Sequence, residues 1–191
     1  MPPKSPSPNT VLIENVNKEV MPFLRKGAPA TMFTVLRKKV IREAGFDFLS
    51  VFGDMMRPRH FHTDKPGAAE NSRHKCGDAF DYNQGAKQLA LVKEPRKDRM
   101  YWRTYLLCSK QDGSQGEPLK ISKGRIVPPA PGSKSEFFYD FTSAAEALGW
   151  HRIRAQKGFE RVSTKKEGTT SLRKVIPSMK RSSCCTVIRK K

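Results

Sequence analysis

Residues 72–81 contain the two side chains in this sequence that are best suited to hold a metal ion together. The stretch reads Ser-Arg-His-Lys-Cys-Gly-Asp-Ala-Phe-Asp, which sets His74 seven positions before Asp81 with Gly77 between them. Imidazole nitrogen and carboxylate oxygen are ordinary zinc ligands, and a catalytic zinc ion usually has three protein ligands and one open position. Glycine readily adopts the backbone conformations of a tight turn. His74 and Asp81 are therefore of residue types that can bind Zn²⁺, and a turn at Gly77 would lie between them.

The residues after Gly77 predict a strand over 78–83. Successive side chains of a strand point to opposite faces, so Phe80 and Tyr82 share one face while Ala79 and Asp81 share the other. We expect the two aromatic residues to pack inward. The small Ala79 would then leave room beside a metal-binding Asp81.

The pattern Ser-x-His-x-x-Gly-x-Ala-x-Asp resembles the first metal half-site of the zinc D-alanyl-D-alanine carboxypeptidases and the related L-alanyl-D-glutamate endopeptidases. The similarity extends over residues 14–167 and is strongest at 53–83 and 139–167. It implies an α+β fold of the hedgehog/D-Ala-D-Ala metallopeptidase type, a small antiparallel sheet with packed helices. It also implies a zinc metallopeptidase that hydrolyses peptide bonds in peptidoglycan stem peptides.

The resemblance implies a role for five residues. His74 and Asp81 would hold Zn²⁺, and Glu167 would take a proton from the attacking water and pass it to the leaving amine. Arg57 would bind the substrate carboxylate or stabilise the developing oxyanion, because a guanidinium forks onto such oxygens. Ser72 would orient a ligand or bind the substrate carboxylate. The plainer alternative for Arg57 is a surface residue of a strongly basic chain.

The second half-site of that family, a Glu followed closely by a His, is incomplete here. Glu167 is followed by Gly-Thr-Thr-Ser, and Thr170 stands where the third zinc ligand is expected. A hydroxyl is a poor zinc ligand beside an imidazole. Deleting one base from codons for Glu-Trp-Asp-His-Phe yields Glu-Gly-Thr-Thr-Ser, so our hypothesis is that the basic tail 168–191 is out of frame. The alternative is a diverged, inactive carboxyl-terminal segment that binds polyanions.

Other histidines are weaker candidates for the missing ligand. His151 follows Trp150, at a position that varies in the family, and no acidic residue closely precedes it. His60 and His62 lie in a segment rich in proline and arginine, upstream of the motif, and we interpret them as a solvent-exposed pair. Cys76 is interpreted as a packing residue and Cys108 as a small buried hydrophobe.

The chain has 191 residues and a formal net charge of +19, which attracts polyanions. Anionic cell-wall polymers and nucleic acid both fit this charge, as does a solvated surface with no dedicated partner. Nucleic acid ranks last because charge alone does not explain the ordered pattern at 72–81. No apolar run is long enough for a membrane span, and the first residues lack a secretory signal. We therefore expect cytoplasmic synthesis and action on the cell wall, as in a phage- or prophage-derived lysin.

The elements that must position the site are predicted from periodicity and turn residues. Residues 1–9 are expected to be disordered, 10–167 to form the peptidase-like domain, and 168–191 to be the basic tail. Apolar residues recur at helical spacing over 30–44 and end at Gly45. Strands are predicted over 46–52 and 101–108, and a long loop with one short strand near 119–126 is predicted over 109–135. Ser143 and Glu146 match a capping box for a short helix.

Overall fold

The computed structural model describes residues 8–17, 21–57, 72–83, 85–97, 99–129 and 131–152, and the backbone of 186–189. This part of the chain is α+β, with two α-helices and small antiparallel sheets, as the sequence predicts. The helices are α1 (Ala28–Ala44) and α2 (Phe141–Ala147). The strands are β1 (Thr10–Leu12), β2 (Phe23–Arg25), β3 (Phe52–Asp54), β4 (Ala79–Tyr82), β5 (Leu89–Arg96), β6 (Arg99–Leu107), β7 (Glu117–Leu119), β8 (Ile121–Ser122), β9 (Arg125–Ile126), β10 (Glu136–Asp140), β11 (Trp150–Arg152) and β12 (Thr186–Arg189).

The strand that carries Asp81 lies inside a four-stranded sheet of order β11-β12-β4-β3. β4 pairs with β12 on one side, where Asp81 faces Thr186, and with β3 on the other, where Asp81 faces Asp54. The register of β3 and β4 shifts between Phe52 and Asp54, so the ladder is irregular at Gly53. A second sheet has the order β5-β6-β10-β7, and β1–β2 and β8–β9 form two-stranded ladders.

Helix α1 covers the core with one apolar stripe. Phe33, Leu36, Val40 and Ala44 are buried along it, and the helix ends at Gly45, whose left-handed backbone (φ 84°) lets its N–H reach the Ile41 carbonyl. The ring of Phe80 meets Phe33 at 5.2 Å and Trp150 at 4.9 Å between centroids, both edge to face. The predicted helix and the inward packing of the β4 aromatics are therefore confirmed.

Three local predictions are wrong. Residues 46–52 do not form a strand: Phe48–Ser50 is a 3₁₀ turn, closed by the Ser50 hydroxyl donating to the Asp47 carbonyl, and β3 begins only at Phe52. The segment 109–135 contains the three short strands β7, β8 and β9 where one was expected. The cap of α2 is Asp140, whose carboxylate accepts from the Ser143 N–H, so Ser143 is not the capping residue.

Within the described residues, no helix is both long and apolar enough to cross a bilayer.

Candidate metal centre

His74 and Asp81 lie together in the structure, as their spacing led us to expect. His74 Nε2 is 3.3 Å from Asp81 Oδ1. The two residues are only 5% and 7% exposed, and Asp78 is the other charged side chain that is buried in the described part of the chain. Buried polar groups are costly unless they are paired or bind an ion, and His74 and Asp81 meet this requirement by facing each other.

The turn before β4 places His74, and it is anchored on strand β2. Arg73–Cys76 forms a single 3₁₀ turn that ends at Gly77, whose backbone is left-handed with φ 68°. The Arg25 N–H donates to the Gly77 carbonyl at 3.0 Å, and Arg25 Nε donates to Asp78 Oδ1 at 2.7 Å. A Cβ at position 77 would lie 2.8 Å from the Arg25 nitrogen, so this close approach requires glycine.

The orientation of the His74 ring is set by a backbone carbonyl. His74 Nδ1 lies 2.5 Å from the carbonyl oxygen of Met55, the residue after β3. A carbonyl can only accept, so Nδ1 carries the hydrogen and Nε2 is the nitrogen that faces Asp81. Metal-binding histidines usually donate their second ring N–H to a carbonyl or carboxylate in this way, which fixes the tautomer and the ring plane.

The separation of the two donor atoms fits a shared zinc ion. With metal–ligand distances of about 2.0–2.1 Å, two ligands at neighbouring corners of a tetrahedron lie about 3.3–3.4 Å apart. The measured 3.3 Å between His74 Nε2 and Asp81 Oδ1 matches this value. It is also the distance of a loose ion pair, so the geometry supports a metal without requiring one.

The surroundings of His74 favour its charged form. Burial alone would lower the pKa of the imidazole, but the hydrogen bond and negative charge of Asp81 outweigh it. The Met55 carbonyl and the charge of Asp54 act in the same direction, so the pKa of His74 lies above its ordinary value of 6.5. The negative potential that holds a proton here would also attract a metal cation.

Asp54 is a third possible ligand, and our sequence reasoning did not find it. The possible ligand atoms of Asp54, His74 and Asp81, one from each residue, lie within 4.8 Å of one another. Asp54 reaches the site because β3 pairs with β4 at this level. The nearest signal in the sequence is a carboxylate after Gly53, but only the strand register places it beside Asp81.

Arg57 lies at the same site through Asp54. Its Nε donates to Asp54 Oδ2 at 2.5 Å, and its backbone N–H donates to the His74 carbonyl at 3.3 Å. The side chains of Arg57 and Asp54 are 27% and 28% exposed, so the site reaches solvent on their side. Ser72 immediately precedes the 3₁₀ turn and is half-buried, and its hydroxyl makes no capping bond to that turn.

The other predicted residues are not brought to this site by the part of the chain that is described. Glu167, Thr170, His60 and His62 lie outside the described residues. His151 lies on β11, which β12 separates from β4. Cys76 is exposed, so its interpretation as a packing residue is wrong, whereas Cys108 is buried as predicted.

No family model, curated protein or solved structure matches this chain. The resemblance of residues 72–81 to the zinc carboxypeptidases therefore stays a prediction from the sequence.

Proposed function

We propose that this protein binds a zinc ion through His74 and Asp81, and that it hydrolyses peptide bonds in peptidoglycan stem peptides. The observation that carries the proposal is the buried His74–Asp81 pair at 3.3 Å, with the His74 ring oriented by the Met55 carbonyl. The substrate class and the proposed hedgehog/D-Ala-D-Ala metallopeptidase fold rest on the sequence resemblance.

The residues of the site, together with Glu167, have defined tasks in this proposal. A zinc ion held here would act as a Lewis acid on the scissile carbonyl and make water a better nucleophile near neutral pH. His74 and Asp81 hold their donor atoms in place before binding, because one is fixed by Met55 and the other by the β4 ladder. Arg57, on the open side of the site, binds the substrate carboxylate or stabilises the oxyanion. Glu167 carries the proton to the leaving amine.

A catalytically dead cell-wall-binding protein is the second candidate. It is favoured by Thr170 in the position of the third ligand and by the net charge of +19, which suits anionic cell-wall polymers. In that case the His74–Asp81 pair would be a remnant of the fold, with little affinity for metal. Metal content separates the two candidates.

The first experiment measures zinc in the purified protein and its activity on muropeptides. We expect about one zinc per chain after dialysis against zinc-containing buffer, and loss of that zinc in His74→Ala. The matched control is His151→Ala, which removes a histidine outside the cluster and should keep the metal. A zinc content of the wild-type protein as low as that of His74→Ala would exclude the zinc site.

The second experiment tests the reaction and the reading frame. Muropeptide digestion is compared between the chain as given and a version with Trp-Asp-His-Phe restored after Glu167. Cleavage only by the restored chain would support the frameshift hypothesis. Zinc binding without cleavage by either version would exclude the peptidase and leave a zinc-binding protein without this activity.

A further inference from the structure

The position of Asp54 supplies the chain with a third donor that does not depend on the missing histidine. Asp54 is the last residue of β3, and its Cα partner across the ladder is Asp81. Its carboxylate belongs to the cluster with His74 and Asp81. The cluster is more than a group of acids, because His74 is buried and its ring is already fixed with Nε2 toward the site.

We infer that Asp54 is the third protein ligand of the metal in this chain, giving one imidazole and two carboxylates. This inference rests on the metal site proposed above. The three donors come from β3, from the turn before β4 and from β4 itself, so the described residues suffice to form the site. Two carboxylates and a neutral imidazole carry a charge of −2, which balances a divalent cation in a buried place.

The donor atoms do not yet form a regular set. The spread within the cluster reaches up to 4.8 Å, while a zinc polyhedron needs about 3.4 Å between neighbouring ligands. A side-chain rotation of Asp54 that moves its carboxylate roughly 1.4 Å toward His74 and Asp81 would close this gap. The Asp54 side chain is 28% exposed and is paired with Arg57, which is itself partly exposed, so such a rotation disturbs little of the core.

Arg57 acts as a competitor of the metal in this arrangement. Its guanidinium donates to the same carboxylate at 2.5 Å, and it brings a positive charge to the site. When Asp54 turns to the metal, its bond to Arg57 Nε is released, on the partly exposed side of the cluster. Metal binding and the availability of Arg57 for an anionic substrate group are therefore coupled through one carboxylate.

The test is a zinc titration by calorimetry on the metal-free protein and on four variants: Asp54→Asn, Arg57→Gln, the double variant and His74→Ala. We expect Asp54→Asn to weaken binding at least about tenfold, since even an outer-shell change typically costs about 10–100-fold. His74→Ala should abolish measurable binding. Arg57→Gln should strengthen binding by about fivefold, the scale of a partly exposed charge pair.

The double variant and a matched control make the result specific. If Asp54 is a ligand, the gain from Arg57→Gln shrinks in the Asp54→Asn background, because no ligand remains to be released. Asp47→Asn breaks another arginine–aspartate pair, that of Arg37 and Asp47, outside the cluster, and should leave zinc affinity unchanged. Circular dichroism of each metal-free variant checks that it is folded.

Two results overturn the inference in distinguishable ways. Unchanged zinc affinity in Asp54→Asn, with binding lost in His74→Ala, excludes Asp54 as a ligand and leaves the proposed site of His74 and Asp81. Zinc affinity that survives His74→Ala excludes both the proposed metal site and the assignment of Asp54 as its third ligand. If Asp54→Asn does not fold, a weaker or unchanged affinity in the folded Arg57→Gln variant overturns the inference on its own.

Discussion

Gly77 fixes the turn that carries His74 into the candidate metal centre. It has a left-handed backbone, and the space where its side chain would be is filled by the backbone of β2. Its carbonyl accepts from Arg25, so the turn cannot move away from β2 without losing that bond. His74, three residues earlier, is held by the same turn.

Gly77→Ala should therefore destabilise the protein for two separate reasons. The left-handed backbone costs a residue with a side chain about 1–2 kcal/mol, and the overlap with Arg25 adds about 1–3 kcal/mol. Gly132→Ala is the matched control, because Gly132 also has positive φ (75°) but nothing within 4 Å of its added Cβ. Urea unfolding of the metal-free proteins measures the loss of stability in each of the two variants. Equal losses in the two variants would mean that the contact with β2 is unimportant.

The residues of the site differ in how far the sequence could predict them. His74 and Asp81 lie within one turn and one strand, so their spacing alone brings them together. Asp54 comes from a strand whose pairing with β4 is decided by long-range packing and by the irregular ladder at Gly53. A register of this kind depends on contacts with distant residues and has no local signal in the sequence. It matters for the site because a shift of one residue would turn each side chain to the other face.

Among the elements, the β5–β6 hairpin is joined to α2 and β11 by ion pairs. Arg152, on β11, has a side chain only 7% exposed, and it contacts Glu94 of β5 at 2.6 Å and Glu146 of α2 at 2.9 Å. Burial would raise the pKa of Glu94, but Arg152 and Arg96 outweigh it and hold the pKa below its ordinary value of 4.5. The ionised carboxylate is thus favoured by the fold.

The stability of the fold should depend on this carboxylate in acid. A depressed pKa contributes stability that is present above the unfolded pKa and is lost as the pH falls through the folded value. Glu94→Gln should therefore lower the free energy of unfolding near pH 7. Below about pH 4 the free energies of unfolding of the variant and the wild type should become more similar. Urea unfolding over a pH series measures this, with Glu117→Gln, an exposed strand residue, as control. Parallel curves for wild type and Glu94→Gln would contradict the assignment.

Helix α2 offers a direct test of which residue caps it. Asp140 accepts from the Ser143 N–H at 3.0 Å and also pairs with Arg103. Asp140→Ala should cost about 1–2 kcal/mol. Ser143→Ala should cost clearly less, because its backbone N–H remains and only a hydroxyl contact to Arg103 is lost. Thermal unfolding of both variants decides the matter, and a larger loss in Ser143→Ala would favour the capping box.

Elements were predictable where one local pattern dominates. The apolar residues at helical spacing predict a helix over 30–44, and α1 spans Ala28–Ala44, so its start differs by two residues and its end agrees. Residues 46–52 are apolar enough for a strand, but Asp47 is held by Arg37 of α1, and Ser50 bonds back to Asp47. These contacts favour a turn over an extended chain, and the one with α1 depends on tertiary packing.

At the scale of the whole molecule, several acidic groups of the described residues are paired internally. Asp47, Asp78, Glu94 and Asp140 each contact an arginine. With a net charge of +19, much of the remaining basic charge is available to solvent and to polyanions. Such long-range attraction is not tied to one geometry and is screened by salt.

Binding of the protein to purified cell wall should therefore not depend on the candidate metal ligands. We expect retention on walls that contain anionic polymers to fall steeply as NaCl rises from about 0.05 to 0.5 M, and to be the same in His74→Ala. Cosedimentation at several salt concentrations measures this, and walls stripped of anionic polymers are the control. Salt-independent retention, or retention lost in His74→Ala, would contradict a purely electrostatic attachment.

The place of β12 between β4 and β11 has a consequence for synthesis of the protein. The strand that carries Asp81 leaves the ribosome long before residues 186–189, an interval of about 5–20 s at usual elongation rates. During that time β4 has an unpaired edge, and unpaired edges readily join strands of other chains. A nascent chain stalled before residue 186 would hold the His74–Asp81 pair beside this open edge, where chaperone binding would protect it from aggregation.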